Sequence, residues 1–187
     1  MLKLILLTLL VLVISGCNGD YIAYKLTEDD RDKIKELENR DLVVYYEDSD
    51  TPYIEYLGTF QLYGVDSPNR ENSNELLDKI NMCTPGDYST IPSMGEDSYK
   101  FMIKEFPENI KYTLETIKLE DSFKKYAILK KDDLDANSYL IENGYAVPSS
   151  IDFYQKEVSF AKENKLGLWG TNFKVMSCLE EKNKKGV

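Results

Sequence analysis

The chain has 187 residues, 33 acidic against 23 basic, a net charge of −10 and no histidine. An anionic body lacks the basic footprint that nucleic-acid binders usually present, and the missing imidazole excludes histidine general bases, histidine metal ligands and the histidine-dependent nucleases. Any chemistry must come from carboxylates, lysine, arginine, tyrosine or a bound metal.

Leu4 to Ile14 is almost entirely Leu, Ile and Val behind Lys3. Its length suits a signal-peptide core and falls short of the roughly 20 residues a membrane-spanning helix needs. The run closes in Ile14-Ser15-Gly16-Cys17, which resembles a bacterial lipobox; a plain signal peptide cut elsewhere is the alternative. Cys17 is then the acylated first residue of a mature chain, and more than one acyl chain is needed for stable anchoring. Removing residues 1–16 deletes one basic charge, Lys3, and leaves 22 − 33 = −11. We expect a signal peptide over 1–16, a lipid-anchored spacer and helix over 17–41, one domain over 42–172 and a C-terminal tail over 173–187. The protein is expected at a cell membrane, held from outside the cytoplasm by lipid.

With Cys17 assigned to lipid, Cys83 and Cys178 remain as an even pair in an oxidising compartment. They are a disulfide or two buried thiols.

A charged helix is expected over 26–42, with acids early and bases late as the helix dipole favours. From Leu42 the period turns strand-like in Leu42-Val43-Val44-Tyr45-Tyr46, Tyr53-Ile54-Glu55-Tyr56-Leu57 and Thr59-Phe60-Gln61-Leu62-Tyr63-Gly64-Val65, with turn residues between. Residues 69–92, rich in Asn, Gly, Ser and Pro, read as a polar loop. A helix over 98–106 is followed by strands over 110–118 and 126–130. Two helices close the domain over 135–143 and 153–164, stopped by Gly144 and by Leu166-Gly167. Trp169 reads as a core plug, and Lys182, Lys184 and Lys185 as a solvated basic end. Strand alternation puts Tyr45 and Tyr46 on opposite faces, so the two cannot stack on one ligand.

This order of elements, with Thr59-Phe60-Gln61-Leu62-Tyr63-Gly64-Val65-Asp66-Ser67-Pro68, Asp48-Ser49-Asp50-Thr51, Leu140-Ile141-Glu142-Asn143-Gly144-Tyr145-Ala146 and Ala161-Lys162-Glu163-Asn164-Lys165-Leu166-Gly167-Leu168-Trp169, resembles the staphylococcal nuclease (thermonuclease) family. The resemblance covers about residues 42–170. It implies an α+β fold, a five-stranded OB-fold β-barrel with packed helices. It also implies calcium held by Asp50, Asp66 and the carbonyl of Ser67, oxygen donors suited to a hard cation. Asp50 and Asp66 read equally well as turn acids.

Phosphodiester cleavage needs a carboxylate to orient water and guanidinium groups to hold transition-state charge. The resemblance places the water-orienting glutamate at Asn69, one phosphate-binding arginine at Gln61 and the other at Lys124 or Lys125. None of these residues has the required chemistry, since lysine is a point charge where a bidentate donor is wanted. Arg70 and Glu71 lie just beyond Asn69 and would supply both groups if the turn were shifted. The leading expectation is a thermonuclease-like lipoprotein with a degraded centre, binding an unknown protein partner at the cell envelope. The alternative is a calcium-dependent phosphodiesterase acting on extracellular DNA or RNA.

Cells expressing Cys17→Ser are expected to release the protein or retain an uncleaved precursor, and to lose incorporation of labelled fatty acid. Persistent labelling of that variant would refute the lipobox.

Overall fold

The computed structural model describes residues 42–55, 57–108, 110–116 and 125–185. The signal segment, Cys17, the helix expected ahead of Leu42, and Tyr56 and Lys124 lie outside the described residues.

Strands β1 (Leu42–Asp48) and β2 (Thr51–Ile54) pair antiparallel with Tyr45 opposite Tyr53, and the register shifts between Tyr46 and Asp48. Alternation is clean: Tyr45 is 41% exposed and Tyr46 5%. The third expected strand is a broken one, split into β3 (Gly58–Thr59), β4 (Gln61–Leu62) and β5 (Val65–Asp66). The breaks follow its changing partners. β3 pairs with β2, β4 runs parallel to β7 (Tyr126–Lys131), and β5 pairs with β9 (Val147–Pro148). β6 (Lys111–Thr116) bridges β1 and β7, and β8 (Leu134–Asp135) extends β7.

Residues 58–63 are hydrogen-bonded on both edges. Phe60 and Leu62 donate to the carbonyls of Pro52 and Asp50, while Gln61 and Tyr63 donate to those of Lys125 and Ala127. The described architecture is mixed α+β.

Two expectations need correction. The stretch 69–92 is no loop: it holds α1 (Asn74–Cys83) and the first residues of α2 (Thr90–Glu105), which begins well before the expected Ser98. Ser73 caps α1 by accepting from the Leu76 N–H, and Leu76 and Ile80, one turn apart, close on Ile91 of α2 in a small apolar cluster of their own. The Asp87 carboxylate accepts from the N–H groups of Ser89 and Thr90 and so starts α2. The second correction concerns the segment expected as a tail, which is helix α6 (Phe173–Lys185). Met176 and Leu179 bury one of its faces in the main core, Glu180 is buried beside them, and Lys184 reaches back to Glu180 at 2.8 Å.

Two helices fall where periodicity placed them, α3 (Ala136–Glu142) and α4 (Gln155–Glu163), and the short α5 (Gly167–Thr171), which was not expected, carries Trp169, 1% exposed. Val44, Ile54, Leu62, Leu114 and Leu129 from the sheet meet Met102, Leu140, Val158 and Trp169 from the helices in one core. Among the described residues, no helix is long and apolar enough to cross a membrane.

Asn137 ties the sheet to α3. Its Oδ1 accepts from Leu129 N–H, and its Nδ2 donates to the carbonyls of Tyr63 and Ala127. After α3 the chain turns at Gly144, whose φ of +81° lies in the left-handed region. A Cβ there would sit 2.2 Å from the Leu166 carbonyl oxygen. Gly144→Ala is therefore expected to lower stability by roughly 1–3 kcal/mol, read as a lower urea midpoint. An unchanged midpoint would mean that this turn is not fixed as described.

Candidate functional site

Asp50 ends the turn between β1 and β2, while Asp66 ends β5 and Ser67 follows it. A buried lysine joins them. Lys79, 1% exposed, projects from α1 with its Nζ 2.5 Å from Asp66 Oδ1, 2.8 Å from the Ser67 carbonyl oxygen and 3.0 Å from Glu75 Oε1. An ammonium has three N–H donors, and each meets an acceptor.

The carboxylates are equally committed. The second oxygen of Asp66 accepts from Asn183 Nδ2 of α6 at 2.8 Å, and that amide also donates to the Pro148 carbonyl. Asp50 Oδ2 accepts from Ser67 N–H at 2.8 Å and Oδ1 from Thr51 Oγ1 at 3.1 Å. Ser67 Oγ is buried without a hydrogen-bond partner among the described residues.

Helix geometry explains the lysine's position. Leu76 and Ile80 turn one side of α1 into the protein, and Lys79 lies next to Ile80 on the same side, above the end of β5. Glu75 precedes it by one turn, an arrangement that supports the pair along the helix. At the end of α1, Cys83 is disulfide-bonded to Cys178 of α6, so the helices bearing Lys79 and Asn183 are covalently joined.

Protonation follows from burial and charge. Burial opposes the charge on Lys79, but Asp66, Glu75 and Asp50 together outweigh it and hold the ammonium above its ordinary pKa. Asp50 is pushed up to about 7, chiefly by burial, with Asp48 and Asp66 adding in the same direction against Lys79 and the Ser67 N–H. Burial likewise raises Asp48, against hydrogen bonds from the backbone of Arg70 and Ser49.

Lys125, Gln61 and Asn69 are the described residues at the expected catalytic positions. Lys125 donates to the Leu57 carbonyl at 2.6 Å and lies near the Phe60 ring. Gln61 sits in β4 opposite Tyr126. Asn69 is half-buried, and its Oδ1 has no partner among the described residues. Arg70 stacks on Tyr99 with 3.7 Å from guanidinium carbon to ring centre, donates to the Glu47 carbonyl at 2.8 Å and faces Glu96 and Glu71 at 3.8 and 3.5 Å. Glu71, 78% exposed, pairs with that same arginine.

Gly95 of α2 fixes this turn, since a Cβ there would lie 2.6 Å from both Asn69 C and Arg70 N. A separate cleft of about 350 Å³ beside Phe101, Tyr145 and Leu168 includes none of these groups.

Asp50, Asp66 and the Ser67 carbonyl are therefore together, as a cation site requires, but as folded they do not fit calcium. Oxygen ligands must each reach the ion at 2.3–2.6 Å, and the place in front of Asp66 and the Ser67 carbonyl holds an ammonium instead. Among the described residues, no group of three or more acidic or cysteine side chains is placed to hold a metal. Lys79, Asn183 and Glu75 were not singled out from sequence; the Glu75/Lys79 spacing was the available signal. No protein-family model matches the chain, and no curated protein matches it.

The raised pKa of Asp50 fixes a sign. Between the unfolded value near 3.8 and the folded value of about 7, the folded state binds more protons, so Asp50's contribution to stability falls as pH rises through that window and is level above it. Asp50→Asn removes the titration while an amide oxygen still accepts from Ser67. Its stability relative to the unchanged protein is expected to improve steadily from pH 4 to pH 7 in urea denaturation, and parallel pH profiles would contradict the assignment.

Proposed function

We propose that the protein is a lipid-anchored, extracytoplasmic lipoprotein, tethered through Cys17, whose body is a thermonuclease-like domain without a working nuclease centre, serving as a binding module for a protein partner at the cell envelope. The observation that carries the non-catalytic half of this reading is the Lys79 ammonium in front of Asp66 and Ser67.

Four further features support it. Residues 58–63, bonded to β2 on one edge and β7 on the other, are what an OB-type barrel of β1, β2, this segment, β6 and β7 requires. Arg70 and Lys125, the described cations nearest in sequence to the expected catalytic positions, are committed to Tyr99, the Glu47 carbonyl and the Leu57 carbonyl. The net charge of −10 opposes the approach of a phosphodiester. For binding, Tyr45 and Tyr53 form an exposed cross-strand aromatic pair on the β1–β2 surface. Tyrosine is enriched at protein interfaces because it offers an apolar body with a polar tip.

The deciding measurement is a nuclease assay on the mature domain with and without millimolar calcium. Loss of one transition-state donor alone lowers turnover by about 10²–10³. Cleavage is expected to stay near background in both conditions, and to stay there in Gln61→Arg with Asn69→Glu, because the Lys79 ammonium still stands in front of Asp66 and Ser67. Robust calcium-dependent cleavage abolished by Asp66→Ala would establish the phosphodiesterase alternative, with DNA or RNA as partner and calcium as cofactor.

A further inference from the structure

The two groups occupying Asp66 come from two helices, Lys79 from α1 and Asn183 from α6. Those helices are joined by a single covalent bond. Cys83 lies one helical turn beyond Lys79, Cys178 lies little more than one turn before Asn183, and their Cα atoms are 5.7 Å apart.

The two helices are unequally anchored otherwise. α6 sinks Met176 and Leu179 into the main core, whereas α1 places Leu76 and Ile80 in the small cluster with Ile91, against which Cys83 and the Val175 of α6 also pack, and leaves Leu77 and Met82 exposed. Both cysteines are half-buried rather than enclosed in the core. Once the bond opens, α1 is held by Leu76, Ile80 and the Lys79 contacts.

We propose that the Cys83–Cys178 disulfide is a redox latch over the Lys79–Asp66 contact. Closed, it keeps α1 against α6 and seals the ammonium among its acceptors. The bond spans a sequence separation of 95 residues, and while it is closed α1 cannot leave α6 without carrying Cys178 with it. Opening takes two electrons and two protons from a dithiol: its two sulfurs join in a new disulfide, and Cys83 and Cys178 are left as thiols. α1 then opens locally on a folded body, carrying Lys79 away from Asp66 and Ser67. The latch stands on these contacts alone and does not depend on the nuclease-like reading.

The test is amine acylation of the full chain, followed at each lysine by mass spectrometry, with Trp169 fluorescence as the monitor of the core. In the oxidised protein, Lys79 is expected to react at least about ten-fold more slowly than Lys100, which is 63% exposed. After reduction with dithiothreitol, Lys79 should approach the rate of Lys100 while Trp169 emission stays native. The double variant Cys83→Ser with Cys178→Ser should behave in the same way without reductant. Continued protection of Lys79 in the reduced chain overturns the latch. So does exposure of Trp169 together with Lys79, because the bond would then be a staple for the whole fold.

Discussion

One buried ammonium organises this molecule. A charge taken from water is tolerated only when it is paired and fully hydrogen-bonded, and Lys79 meets both conditions with acceptors from β5, from the turn after β5 and from its own helix. The position of α1 is thereby defined by an ionic contact as much as by its two buried apolar residues. Asp50 completes the neighbourhood without touching the lysine, through the Ser67 N–H that fixes the carbonyl Lys79 uses. Removing Lys79 would leave the largely buried Asp66 carboxylate without its cation. That outcome is far more damaging than the net worth of the pair, since an uncompensated buried charge costs about 3–5 kcal/mol.

The parts of the fold legible in the sequence are those where a single physical signal suffices. Val44-Tyr45-Tyr46 alternates cleanly, and α3 and α4 carry buried residues at helical spacing with Gly144 and Gly167 just beyond their ends. α1 was illegible because its buried stripe is only Leu76 and Ile80, and the third inward position is a lysine, which ordinarily marks a solvated face. The asparagine, glycine and proline around it are the caps and turns of two helices rather than a loop. α6 was hidden for a similar reason. Its lysines dominate the reading, while Val175, Met176 and Leu179 carry the packing.

The candidate site was half legible. Asp50, Asp66 and Ser67 are close together because they lie at the ends of neighbouring strand segments, a placement that follows from strand order. The occupant of that cluster comes from a different element, and no local pattern in residues 42–68 announces it. Pairing across such a distance in the chain is a property of tertiary structure, which local periodicity cannot report. The same holds for Asn183, whose contact with Asp66 spans a separation of 117 residues.

The turn at residues 66–71 is held by contacts that a shift of Arg70 or Glu71 would break. Its first half is pinned by Lys79 to Asp66 and the Ser67 carbonyl, and its second half by the Arg70 N–H to Asp48 and by the Arg70 side chain to Tyr99 and the Glu47 carbonyl. Gly95 presses on the backbone between them, close enough that a single methyl group would collide. Moving Arg70 or Glu71 towards Asp66 would break the contact with Asp48, leave that buried carboxylate short of a donor and unseat a guanidinium stacked on a ring. Each of these is a loss of order 1–3 kcal/mol. The turn is held at both ends by these contacts, while Ser67 Oγ, Asn69 Oδ1 and Arg70 Nε are buried between them without a partner among the described residues.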